Sequence, residues 1–87
     1  LLDAEDRNLR LRQMLAPLRP KYDYIVIDSP PSLSVLALNV LCAADRVVIP
    51  VQAEFLSLEG LARILHVIDW VQEQFNPKLK VLGILVT

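Results

Sequence analysis

The sequence predicts an α/β fold, a parallel sheet with helices on both faces. Segments with helical spacing alternate with short apolar runs in the order helix, strand, helix, strand, helix, strand, the order from which parallel sheets with right-handed crossovers are built. The strand-like runs, such as Tyr24-Ile25-Val26-Ile27, are continuous rather than alternating, as in strands covered on both faces. Hydrophobic residues make up 54% of only 87 residues. A chain this short buries a small share of its surface, so that content points to strands meant to be covered by elements beyond their own segment.

Residues 3–19 read as a helix, with Leu11, Met14 or Leu15, and Leu18 at helical spacing. Pro17 and Pro20 close it. After the polar connector Lys21-Tyr22-Asp23, residues 24–28 read as a buried strand ending in Asp28. Ser29-Pro30-Pro31-Ser32 is a loop, because two prolines cannot donate to a ladder. Residues 33–43 are apolar with Asn39 as the main polar break, a mostly buried helix. A turn over 43–46 leads to a second strand, 47–51, and residues 52–56 form a loop.

Ser57 is placed to cap the next helix, and Glu59 in its first turn suits the helix dipole. Leu58, Leu61, Ile64, Leu65, Ile68 and Val71 repeat at i, i+3, i+4, i+7 and predict its buried face. Asn76-Pro77 ends it, and residues 80–86 are the third strand. Three parallel strands with bare edges make an unlikely complete domain, so the expectation is one partial domain over residues 1–87.

Composition excludes several classes of function. The net charge is -1, which gives no bulk attraction to nucleic acid. Arg7, Arg10, Arg12, Arg19 and Lys21 are interleaved with Asp3, Glu5, Asp6 and Asp23, the pattern of a solvated helix face. The single cysteine, Cys42, can form no disulfide within the chain and reads as a small buried hydrophobe. The longest apolar run, Leu33 to Ala44, is too short to span a bilayer. With charged residues near the start and no signal-peptide pattern, the expectation is a cytoplasmic protein without a membrane partner.

Chemistry concentrates at Asp28. Open parallel sheets bind ligands at the carboxyl ends of their strands, and a carboxylate there suits Mg²⁺, which prefers oxygen ligands and keeps part of its hydration shell. Apolar residues followed by Asp leave two readings open, a metal role and a cap on the next turn. The stiff Pro30-Pro31 turn adds a rigid pivot that can report on what occupies the site.

The run Tyr22 to Ser32, with its Asp28-Ser29-Pro30-Pro31-Ser32 core, resembles the second nucleotide motif of the ParA/Soj chromosome- and plasmid-partitioning ATPases. Ala44 to Phe55, continued by Leu58-Glu59-Gly60-Leu61, and Asn76 to Thr87 resemble the family's following blocks in the same order. The resemblance covers nearly the whole chain. It implies part of a P-loop NTPase-like fold, the central-to-C-terminal portion of the ATPase domain. Asp28 would be the Walker B-type carboxylate near Mg²⁺, and residues 29–32 the switch sensing the γ-phosphate. Asp28, Ser29, Pro30 and Pro31 would thus face the nucleotide. ATP and Mg²⁺ are implied for the full-length protein, as are a homodimer, nonspecific DNA and a partition partner protein.

One family feature is absent. The only glycines are Gly60 and Gly83, so no Gly-rich loop with its lysine can cradle phosphates. The expectation is an ATPase as the parent and a chain that is inactive and binds no cofactor by itself. Two other readings stay open: a non-catalytic α/β scaffold module, and a MinD-like membrane-cycling ATPase, whose family usually lacks the Pro-Pro-Ser and Glu-Gly-Leu forms. His66 has no Cys or second His nearby, Trp70 and Phe75 read as packing residues, and Ser29 and Ser32 have no His partner for a hydrolase triad.

Overall fold

A computed structural model describes residues 7–29, 34–55 and 57–87. The chain divides into two compact units, residues 1–44 and 45–87.

In the first unit, Arg7 and Asn8 are helical, Leu9 is a turn, and helix α1 runs over Arg10–Leu15. Residues 3–6 of the predicted helix lie outside the described residues. Within α1 the half-buried side chains are Leu11 and Leu15, whereas Met14 is exposed, which settles the choice between Met14 and Leu15. Pro17 and Pro20 act as expected. The α-helix stops at Leu15 and the chain continues into a short 3₁₀ turn over Arg19–Lys21, with Pro20 at its start. Helix α2 spans Val35–Ala43 and packs against α1. Its buried residues are Asn39, Cys42 and Ala43, one stripe at i, i+3, i+4.

The strand predicted over residues 24–28 does not form. These residues carry neither helix nor ladder, and Tyr24 and Val26 are 88% and 91% exposed. A strand is stabilised by pairing with a neighbour, and no described segment of the chain pairs with this one. The propensity of Tyr, Ile and Val for sheet is a preference for a pleated, half-covered environment, and without that environment it commits the backbone to nothing.

In the second unit, β1 (Arg46–Val51) and β2 (Lys80–Val86) pair in parallel, so the fold class is α/β with a parallel sheet. The register runs from Arg46 opposite Lys80 to Val51 opposite Val86, with a shift after Val47 that leaves Leu82 as the extra residue. Helix α3 (Leu58–Gln74) joins the two strands. Ser57 caps it as predicted: its Oγ accepts the Gly60 N–H at 3.2 Å. At its other end the N–H groups of Phe75 and Asn76 both donate to the Val71 carbonyl.

Ile49, Ile68, Val71 and Leu79 are the buried apolar side chains of this unit. Gln72 Nε2 donates to the Leu79 carbonyl at 2.8 Å and ties α3 to the start of β2. Two expectations fail here. Leu58, placed on the buried face by periodicity, is 80% exposed, because the first turn of a helix reaches beyond the packed middle of its apolar stripe. Val48, Leu82, Leu85 and Val86 are also exposed, so these strands are not covered on both faces.

Leu79 is essentially inaccessible. Leu79→Ala is expected to destabilise the unit by about 2–5 kcal/mol, read from urea unfolding followed by α3 helicity. A change below the error of the fit would show that Leu79 packs in name only.

Candidate functional site

Asp28 and Ser29 are exposed. They stand at the end of the uncommitted segment 24–28, with Ile27 half-buried before them. Pro30 and Pro31, the other two predicted site residues, lie outside the described residues, as does Ser32. The residue at the N-cap of α2 is Ser34, in extended conformation. Asp28 is six positions upstream and does not occupy that cap; the turn directly after it, which it could cap instead, lies outside the described residues.

A lone exposed carboxylate fits one kind of metal site. Mg²⁺ is held by one or two carboxylates plus waters and phosphate oxygens rather than by an all-protein cage. Asp28 can be such a ligand, directly or through water. Among the described residues no group of three His, Cys, Asp or Glu side chains is placed to hold a metal ion. The phosphate side of a nucleotide fits less well. Gly60 lies inside α3 and Gly83 inside β2, and neither adopts a positive φ. Neither belongs to a loop of converging N–H groups, so the described residues offer phosphates no glycine cradle.

A second feature was not singled out from sequence. An open cleft of about 280 Å³ is lined by Gln52, Ala53, Glu54 and Thr87. It lies just beyond the carboxyl ends of β1 and β2, where open parallel sheets take their ligands. Backbone bonds hold its lining residues to the strand end: Thr87 N–H donates to the Val51 carbonyl at 2.8 Å, and Ala53 N–H donates to the Thr87 carbonyl at 3.2 Å. The amide of Gln52, the carboxylate of Glu54 and the hydroxyl of Thr87 supply both donors and acceptors. The signal that could have found it is the position of Gln52 and Glu54 directly after a strand end. Glu54 sits in the 3₁₀ turn Ala53–Phe55 and Glu59 in the first turn of α3.

The remaining candidates behave as packing or surface residues. His66 is exposed on α3. Trp70 and Phe75 stack edge to face, with ring centroids 5.4 Å apart. Cys42 is buried, and burial pushes its thiol pKa up while the Arg12 charge pulls the other way more weakly.

A family model of the AAA domain matches residues 1–81. The chromosome partitioning protein ParA of Myxococcus xanthus is 53% identical over all 87 residues, which span 31% of that protein. The sporulation initiation inhibitor protein Soj of Bacillus subtilis is 45% identical over the same 87 residues, 34% of its length. The chain belongs to the ParA/Soj family of partitioning ATPases. It spans about a third of the length of the curated relatives it matches. Among solved structures, a cobyrinic acid a,c-diamide synthase from Mycobacterium smegmatis with bound ADP and magnesium superposes with a TM-score of 0.87 at 44% identity, covering 93% of this chain and 33% of that one. The same enzyme with a bound ATP analog and magnesium gives 0.86 at 45% identity, over 92% of this chain and 32% of that one. This places the chain's fold among ATP- and magnesium-binding relatives. No described helix is long and apolar enough to cross a membrane.

The environment of Cys42 gives a measurable consequence. A raised folded-state pKa means the folded chain favours the neutral thiol. That contribution to stability is complete below the ordinary value of 9.0 and is lost as pH rises through the folded value. Cys42 is therefore expected to resist aromatic disulfide reagents at pH 8 until the chain unfolds, and unfolding is expected to become easier above pH 9. Labelling at the rate of a free thiol in folded protein would contradict this.

Proposed function

We propose that this chain is the part of a ParA-like DNA-segregation ATPase that carries the Walker B-type carboxylate and its switch, and that it lacks the phosphate loop. The observation that carries this reading is Asp28. It is an exposed carboxylate closing an apolar run and leading into Ser29-Pro30-Pro31, in a chain whose every residue aligns with ParA and Soj proteins.

In the full-length protein, Mg²⁺ when bound neutralises charge on the transferring phosphoryl group. Asp28 would hold the ion through its waters, accepting their hydrogen bonds and so fixing their orientation. Ser29, Pro30 and Pro31 would act as the switch. The prolines restrict the backbone, so a displacement at Ser29 would pass along a stiff segment toward α2 instead of dissipating. ATP and Mg²⁺ are the cofactors of the whole protein, which would work in the cytoplasm as a homodimer on nonspecific DNA with a partition partner. These last roles rest on the family alone.

Two experiments test the proposal. Calorimetric titration of the 87-residue chain with ATP and Mg²⁺ is expected to show no micromolar binding, because the described residues contain no phosphate cradle. Micromolar affinity would refute the claim that the chain is inactive alone.

In the full-length protein, Asp28→Ala is expected to lower ATP hydrolysis by about 10–100-fold, the usual cost of losing a group that orients a metal's ligands. Stability should stay within about 0.5 kcal/mol, as for an exposed side chain away from the core. A variant that melts several degrees lower yet hydrolyses ATP at the parental rate would show that the metal role is wrong.

A further inference from the structure

The first unit holds a buried polar group that the nucleotide reading does not use. Asn39 is 8% exposed, in the middle of the otherwise apolar helix α2. Both ends of its amide are engaged. Oδ1 accepts the Leu11 N–H at 3.1 Å, and Nδ2 donates to the Val35 carbonyl one turn earlier in α2 at 2.9 Å.

The first of these bonds lands at a particular place. Arg7 and Asn8 are helical, Leu9 is a turn with φ -101° and ψ 6°, and α1 resumes at Arg10. Leu9 offers no side-chain cap to α1. Leu11 is in the first turn of α1, so its N–H is one of the donors that a helix start leaves without a regular partner. In an unbroken helix its acceptor would be the Arg7 carbonyl. Here a side chain from a different helix supplies the oxygen. Interruptions of a helix arise where a side chain enters the i to i−4 ladder, and Asn39 enters it next to the break.

We propose that Asn39 is a clasp between the helices: its amide caps α1 from α2, holds the interruption at Leu9, and makes α1 follow α2 as one body. The second bond gives the clasp its stiffness. Because Nδ2 is tied to the Val35 carbonyl, the amide plane is fixed relative to α2, and Oδ1 is presented in one direction only. A buried amide with one free end would cost more than an apolar residue of the same shape, and with both ends satisfied it selects one arrangement of two helices instead of several. Since α2 begins one residue after Ser34, any shift of α2 along its axis would be carried to α1 through this bond. The inference does not depend on nucleotide binding.

Residue-resolved amide hydrogen exchange tests it. In the parent chain the Leu11 amide is expected to exchange slowly, at the pace of Gln13 and Ala16, whose N–H groups bond to Leu9 and Arg12 carbonyls within the first helical region. A Leu11 amide exchanging at the rate of free peptide overturns the proposal without any variant. Asn39→Leu keeps the size and removes both bonds. It is expected to speed exchange at Leu11 by roughly tenfold, the effect of losing one hydrogen bond. Leu61 and Phe75 in α3, bonded to Ser57 and Val71 carbonyls, should keep their rates and report that the second unit is folded.

Asn39→Asp separates the clasp from simple packing. It keeps an oxygen for the Leu11 N–H and loses the donor to Val35. Leu11 is expected to exchange faster than in the parent chain and slower than in Asn39→Leu, because the acceptor remains while the Val35 bond that aims it is gone. Parental exchange at Leu11 in Asn39→Leu overturns the clasp, and so does parental exchange at Leu11 in Asn39→Asp, which would show that the Val35 bond does not aim the amide. If Asn39→Leu loses protection throughout the chain, the Asp variant decides: faster Leu11 exchange with α3 still protected sustains the proposal and parental exchange ends it.

Discussion

A parallel pair of strands cannot be closed by a tight turn, and it needs a crossover of a dozen or more residues. The ladder between β1 and β2 imposes that condition on residues 45–87, and much of their structure follows from it. The chain must leave the end of β1 at Val51 and return to Lys80 at the same end from which β1 began. Helix α3 covers that return. Its capping by Ser57, its buried Ile68 and Val71, and the Gln72 bond to the Leu79 carbonyl hold the crossover against the unit's core. The same parallel pairing puts both carboxyl ends together. Val51, Ala53 and Thr87 then exchange backbone bonds, and the polar cleft opens directly above them. The cleft is a consequence of strand direction before it is a consequence of any particular side chain.

Residues 1–44 obey a different constraint. No described strand pairs there, and α1 and α2 pack on each other. Helix α2 has so little polar sequence that periodicity cannot choose its buried face. The buried stripe turns out to contain its one amide, Asn39, together with Cys42 and Ala43. A buried polar group needs partners, and Asn39 finds one on each of the two helices.

These two units relate differently to the family's chemistry. The carboxylate that suits Mg²⁺, Asp28, stands on an unpaired segment of the first. Its exposure reflects the absence of a ladder partner among the described residues, and so does that of Tyr24 and Val26.

Much of this was legible in the sequence where the deciding interactions are local. Strand β2 falls on residues 80–86 as read, and β1 starts only one residue early, at Arg46. The Ser57 cap and the proline stops after Leu15 and Phe75 involve residues within a turn or two of each other, so their identity was enough. The family was legible too, because it rests on blocks of residues and their order. Only the tertiary structure decided the rest. Residues 24–28 have the composition of a strand, yet a strand exists only with a partner, and partners are a property of the assembled chain. Leu58 matches the apolar stripe of α3 and is exposed, because periodicity gives direction around a helix and not how far along it the core extends. Asn39 looked like the polar interruption of a buried helix and is itself buried, because a polar side chain goes inside whenever two partners wait there, and their positions are set by the packing of α1 on α2.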